Sequence, residues 1–281
     1  MQVAGRQNSS APDLTDIECY VLDMDGTINL GDTPIEGAHE LIEELRRRGI
    51  PFYFFTNNSS RSPQAYVERL HALGFTGVGR EQIMTSGDVM IDYLQRHHPD
   101  PLVYLAGTPA LREQFEQAGI RLADETCSSA DFAVLGFDTT FSFAKADTLC
   151  RLVSSGVPFL ATNIDRVCPL EGGAFLPDCG SMAAMIEHAT GVSPQFIGKP
   201  FPETSEYILR HASSAPERTA VVGDRIYTDI MTAVNGGLVG IAVLSGEIGW
   251  EDIEQGQVTP DYVLESVADI TAALRRYAGY D

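Results

Sequence analysis

"VLDMDGT", residues 21–27, places two carboxylates, Asp23 and Asp25, two positions apart at the end of an apolar run, with a glycine and a threonine directly after them. Driving an ionised carboxylate to the end of a buried strand is costly unless something offsets its charge. Alternate positions of a strand face the same side, so the two acids could share one small space. Taken alone, D-x-D-G is equally a solvated turn. A calcium loop starting at Asp23 needs glycine at its sixth position and glutamate at its twelfth. Those positions hold Ile28 and Pro34, so the calcium loop fails.

Outward from this stretch, short apolar segments alternate with amphipathic ones. "CYVLD" and "PFYFFT" read as strands. Between them Ala38, Leu41, Ile42 and Leu45 recur at helical spacing up to Gly49. Ser62 caps a second helix with Pro63 at its first position and Tyr66, Val67, Leu70 and Leu73 on one face, stopped by Gly74. The alternation continues through "LVYLAG", "DFAVLGF", "PFLATN", "TAVVGD" and "GIAVLSG", with a helical pattern after or between them. Such a pattern predicts an α/β fold of parallel sheets covered by helices. The first sixteen residues read as a frayed tail without the apolar centre of a signal peptide.

Composition narrows the function. Hydrophobic residues are 44% and charged residues 21%, a globular balance. With 19 Lys and Arg against 39 acids the formal charge is −20, which argues against a nucleic-acid partner. No apolar run reaches the roughly 18 residues of a membrane span. Cys19, Cys127, Cys150, Cys168 and Cys179 are odd in number and scattered, without C-x-x-C, which predicts reduced thiols in a cytoplasmic protein.

In open α/β sheets, ligands bind beyond the carboxyl ends of the strands. The polar residues at those ends are Asp23, Thr56, Asn163 and Asp224. Thr56 leads into Asn57 and Asn58, a turn that could cap a helix or cradle an anion. Lys199 stands between Gly198 and Pro200 in a stiff loop. Asp224 repeats the placement of Asp23, and Asp229 follows five residues later at a helix start. Two hard oxygen donors at neighbouring strand ends suit Mg²⁺, which uses few protein ligands and keeps several waters.

In order, D-x-D-G-T, T-N-N, G-K-P and G-D-x-x-x-x-D resemble the haloacid dehalogenase superfamily. "DMDGTINLG", "TNNSSRS", "ATNIDRVCP", "GKPFPE", "GDRIYTDI" and "VLSGE" resemble its NagD-like branch, class IIA. The resemblance implies a Rossmann-like core, residues 16–85 and 192–281, with an α/β cap inserted over 86–191. It implies a Mg²⁺-dependent phosphatase of small phosphate monoesters: sugar phosphates, nucleotides or related metabolites, with nitrophenyl phosphate as a surrogate. Asp23 is then the nucleophile that becomes an aspartyl-phosphate, and Asp25 the acid and base. Thr56 and Lys199 bind phosphoryl oxygens. Asp23, Asp224 and the backbone carbonyl of Asp25 hold the metal, supported by Asp229. Asn57, Asn58, Asn163, Asp165 and Asp178 face the substrate.

The turn "PDCGS" departs from the family's glycine-rich P-G-x-G-S, and Asp178 there removes the basis for carrying over a relative's substrate preference. Relatives often pair through the cap, which implies a homo-oligomer. A phosphomutase or other phosphotransferase would use the same Asp23 adduct, and phosphate release without an acceptor separates it from a phosphatase. A non-catalytic binding protein on this fold would have no need of Asp23, Asp25, Lys199 and Asp224 together.

Overall fold

The computed structural model describes residues 5–7, 11–170, 173–256 and 258–276. By internal contacts the chain forms two compact units. The first comprises Met1–Phe55, Val67–Met84 and Pro200–Asp281; the second comprises Thr56–Tyr66 and Thr85–Lys199.

The first unit is built on a seven-stranded sheet. Its order is Gly5–Gln7, Tyr262–Leu264, Val239–Val243, Thr219–Gly223, Cys19–Asp23, Phe52–Thr56 and Ile83–Thr85. The pairings from Tyr262–Leu264 through Phe52–Thr56 are parallel. The runs "TAVVG" and "VGIAV" are buried at every position, as strands covered on both faces require. Parallel pairing sets Leu22 opposite Val222, so the chains leave the sheet side by side at Asp23 and Asp224.

Two expectations are corrected. The amino-terminal tail is not simply frayed: Gly5–Gln7 adds an antiparallel strand at the sheet edge, and Leu14 is buried in a short helical turn capped by Asp13. Backbone pairing needs no apolar signature, so the sequence hides it. The remaining tail positions 1–4 and 8–10 lie outside the described residues. The strand of the opening stretch also ends at Asp23, so Asp25 sits in the following turn and not on the same strand face.

The second unit has a parallel five-stranded sheet ordered Gln195–Phe196, Phe159–Ala161, Phe132–Leu135, Leu102–Ala106 and Arg121–Leu122. Its core gathers Tyr104, Leu135, Phe137, Leu149, Phe159 and Ile186. The helices Pro109–Gln117 and Phe143–Ser154 begin after Thr108 and Ser142, whose hydroxyls accept the backbone N–H of Leu111 and Lys145. All five cysteines are free, and burial pushes the Cys19 and Cys179 thiols up to about 12. No helix among the described residues is long and apolar enough to cross a membrane.

One buried acid ties the first unit together. Glu44, on the helix Ala38–Arg48, is 3% exposed and accepts hydrogen bonds from Arg47 and Arg48, both as short as 2.6 Å. Arg48 also donates to the carbonyl of Leu274 in the helix Ala268–Arg276, and Arg275 approaches Glu44 to 3.6 Å. Hydrogen bonding from Arg47, joined by Arg48, outweighs the opposing effect of burial and holds the Glu44 carboxyl down to about 2. Its folded value is below the unfolded one, so its stabilisation is present above pH ~4.3 and is lost as pH falls toward 2. Arg47 and Arg275 are half exposed and water screens them, so we expect Glu44→Gln to cost roughly 1–2 kcal/mol at pH 7. Urea denaturation of both proteins should show that gap closing between pH 4 and pH 2.

Candidate active site

In the first unit, Asp23, Asp224 and Asp229 each offer a carboxylate oxygen within 4.8 Å of the others. Asp23 ends its strand. Asp224 follows Gly223, and Asp229 lies in a wide π-type turn, Ile226–Ile230, that leads into the helix Met231–Gly236. Such turns recur at functional sites because they redirect a side chain. Asp224 is 2% exposed and Asp229 is 1% exposed. Oδ2 of Asp224 accepts the Glu247 N–H at 2.7 Å, whereas its Oδ1 is buried without a hydrogen-bond partner among the described residues.

Burial, and then the charge of Asp229, push the Asp224 carboxyl up to about 6. The surrounding backbone is shaped to let these acids approach. A Cβ at Gly26, whose φ is +92°, would sit 2.2 Å from Asp224 Oδ2, and one at Gly246 would sit 2.1 Å from it. Three converging hard oxygen donors, one with an orphaned buried oxygen, fit a small divalent cation.

Asp25 stands outside this cluster. Its Oδ1 accepts from Asn29 Nδ2 at 2.9 Å and from Arg69 Nη2 at 3.0 Å. Neither partner stands out in the sequence. Arg69 borders the apolar face of its helix, and Asn29 looks like an ordinary turn residue.

In the second unit, Thr56 Oγ1 accepts the Asn58 N–H, and Asn58 Oδ1 accepts from the N–H and hydroxyl of Ser60, forming a tight polar turn. Asn57 reaches further. Its Oδ1 accepts the Lys199 N–H at 2.9 Å, and its Nδ2 donates to the Lys199 carbonyl at 3.2 Å and to Asp165 Oδ2 at 2.8 Å. Lys199 is 3% exposed. The amide thus fixes the backbone of the lysine loop. A Cβ at Gly198 would sit 2.3 Å from the Thr162 carbonyl oxygen, so only glycine admits that approach.

Asn163 extends the network, its Nδ2 donating to Asp165 Oδ2 and to Asp178 Oδ1, each at 3.0 Å. Asp178 also caps the helix Cys179–Thr190 by accepting the Cys179 N–H. The structure therefore gathers Asn57, Lys199, Asp165, Asn163 and Asp178, all of them buried. Sequence reasoning missed Ser59, Thr162 and Ser86. Ser59 and Thr162 share a 3.0 Å hydroxyl contact, and Ser86 donates to the Asn57 carbonyl. Small hydroxyl residues at loop starts carry no signal of such long-range bonds.

With this geometry in place, comparison with known proteins is direct. The haloacid dehalogenase-like hydrolase model matches residues 20–121, and a second, HAD-hydrolase-like, matches residues 196–270. The chain is 32% identical to an acid sugar phosphatase of Staphylococcus aureus strain MRSA252 over 92% of its own length and 98% of that protein. It is also 32% identical to the 5′-nucleotidase YutF of Bacillus subtilis strain 168, covering 89% and 96%. A 4-nitrophenylphosphatase from Thermotoga maritima superposes with a TM-score of 0.87 at 38% identity, over 93% of this chain and 98% of that one. A parallel α/β sheet with acids gathered at its strand ends defines the class. The chain belongs to the haloacid dehalogenase-like hydrolase family.

The amide of Asn163 separates two buried carboxylates, and its loss would leave both short of a donor. We expect Asn163→Ala to destabilise the protein by about 1–3 kcal/mol, the usual cost of orphaning buried polar groups. Asn163→Asp, which adds a third charge at the same point, should cost more. Chemical denaturation of the two variants beside wild type checks both the loss and its order.

Proposed function

We propose that this protein hydrolyses small phosphate monoesters through an aspartyl-phosphate on Asp23, with Mg²⁺ as its metal. The observation that carries the reading is the cluster of Asp23, Asp224 and Asp229 at adjacent strand ends, in a chain of this family. Asp23, Asp224 and the backbone carbonyl of Asp25 would hold the ion, with Asp229 supporting them. When bound, Mg²⁺ neutralises charge on the phosphoryl group and on the carboxylates around it.

A carboxylate oxygen of Asp23 attacks phosphorus while the ester bond breaks. The departing oxygen takes its proton from Asp25, and the leaving alcohol is released. Asp25, now ionised, takes a proton from water, whose oxygen attacks the phosphorus of the aspartyl-phosphate. Inorganic phosphate leaves and Asp23 is regenerated. The Thr56 hydroxyl and the Lys199 ammonium bind phosphoryl oxygens, so positioning and electrostatics carry most of the rate.

Residues 86–191 we assign to a cap that selects among substrates. Asn57, Asn58, Asn163, Asp165 and Asp178 belong to substrate binding in this reading. The hydrogen bonds among Asn57, Asn163, Asp165 and Asp178 support a role in holding the loops that receive the substrate. The names of the relatives support sugar phosphates and nucleoside monophosphates as first candidates, with nitrophenyl phosphate as a surrogate. Five free cysteines support a reducing, cytoplasmic setting.

Two measurements test the reading. EDTA should abolish phosphate release and Mg²⁺ restore it, with Ca²⁺ a poor substitute because it prefers more ligands and looser geometry. Mg²⁺ should also raise the thermal midpoint of the metal-free protein but not that of Asp224→Asn. Full activity after exhaustive chelation would remove the metal from the reaction.

The second measurement separates the two acids of the opening stretch. Rapid-quench labelling with nitrophenyl phosphate should trap a phosphoenzyme in Asp25→Asn, whose good leaving group needs little protonation but whose water goes unactivated. The dephosphorylation step should slow by about 10²–10⁴-fold. Asp23→Asn should give no label, because an amide oxygen is too weak a nucleophile. Label persisting in Asp23→Asn would place the nucleophile elsewhere.

A further inference from the structure

Asp25 is held from two sides by groups that the reaction scheme above does not use. Its side chain is 52% exposed, which by itself would leave the carboxylate free to rotate. Two donors prevent that. Asn29 Nδ2, on a residue with no exposed surface, reaches Asp25 Oδ1 at 2.9 Å and the Gly31 carbonyl at 2.9 Å. Arg69 Nη2, on a side chain 19% exposed, reaches the same two acceptors, Asp25 Oδ1 at 3.0 Å and Gly31 at 2.9 Å.

Both donors converge on one oxygen. Oδ2 of Asp25 has no hydrogen-bond partner among the described residues. Arg69 comes from the helix Pro63–Ala72, whereas Asn29 and Gly31 belong to the hairpin formed by Asn29–Leu30 and Thr33–Pro34. The guanidinium therefore ties that hairpin and the acid to the same point on the helix.

We propose that Arg69 is a positioning residue for Asp25. It works with Asn29 to fix Oδ1, so that Oδ2 is the oxygen that carries the transferable proton. The inference rests on the assignment of Asp25 as acid and base. A carboxyl group gives up or takes a proton efficiently only when one oxygen is held at hydrogen-bonding reach of the reacting atom. A half-exposed acid pinned by one oxygen meets that need, whereas a freely rotating one loses it to solvent and rotation. Arginine suits the position because a planar fork keeps its direction while bonding two acceptors. An ion pair this exposed adds little to folding stability, so its effect should be seen in the reaction.

The test is a double-mutant cycle read by single-turnover and steady-state kinetics on nitrophenyl phosphate. Arg69→Ala should lower kcat by about 10- to 100-fold, the size of a misplaced proton-transfer group, with KM nearly unchanged. It should also let the phosphoenzyme accumulate, as in Asp25→Asn. Arg69→Lys should recover part of the loss, and it carries the test if the alanine variant folds poorly. In the Asp25→Asn background, Arg69→Ala should cost little more, because both changes remove one function. A raised KM with unchanged kcat would make Arg69 a substrate-binding cation and overturn the proposal. Fully additive losses in the cycle would overturn it too. Unslowed dephosphorylation in Asp25→Asn itself would instead remove the acid–base reading of Asp25 on which the proposal stands.

Discussion

Mutual repulsion among three carboxylates, two of them buried, is the constraint around which the first unit is arranged. Asp23, Asp224 and Asp229 lie within reach of one another at the end of a sheet whose strands Thr219–Gly223 and Val239–Val243 are buried at every position. Such a sheet has no use for acids except at its edge of emergence, and parallel pairing brings two emerging chains side by side. The backbone yields to them: side chains at Gly26 and Gly246 would collide with Asp224. A fold that clears space for mutually repelling groups is keeping them together against their own electrostatics. Burial and the charge of Asp229 leave Asp224 raised to about 6, a group whose charged form the protein alone does not favour.

Much of this was legible in the sequence because it depends on local pattern. Cys19–Asp23, Phe52–Thr56 and Thr219–Gly223 are short apolar runs ended by polar residues, and their bounds were readable to within a residue or so. The helix start at Ser62 was readable because a hydroxyl before the periodic run answers an orphaned N–H, here that of Ala65. The edge strand Gly5–Gln7 was not, since it earns its place by backbone pairing with Tyr262–Leu264 more than 250 positions away. The position of Asp25 was misjudged for a related reason. Spacing of i and i+2 implies a shared face only while the strand continues, and here it stops at Asp23.

The partners of the site residues were the least legible part. Asn57 contacts Asp165 and Lys199 at separations of 108 and 142 residues, and Arg69 contacts Asp25 across 44. Nothing in a local window distinguishes an asparagine that caps a helix from one that bridges two loops. Family resemblance pointed to Asn57, Asn163, Asp165 and Asp178 as residues of the site, yet only the structure reveals that they are bonded to one another. Arg69 lies outside every motif quoted for that resemblance, and only the fold brings it to Asp25.

The two units meet the same electrostatic difficulty in opposite ways, and the contrast explains their chemistry. In the second unit, Asp165 and Asp178 are buried, but the single amide nitrogen of Asn163 donates to both, and Asn57 adds a further donor to Asp165. Neutral amides meet those acids with directed hydrogen bonds to Asp165 Oδ2 and Asp178 Oδ1 and bring no net charge, which makes the network a rigid brace. In the first unit, three acids converge, with carboxylate oxygens within 4.8 Å of one another. An asparagine at Asp229 would relieve that repulsion and would make a more comfortable core. The chain carries aspartate instead, and carboxylates set against one another rather than against bridging amides are what separate this cluster from the brace of the second unit.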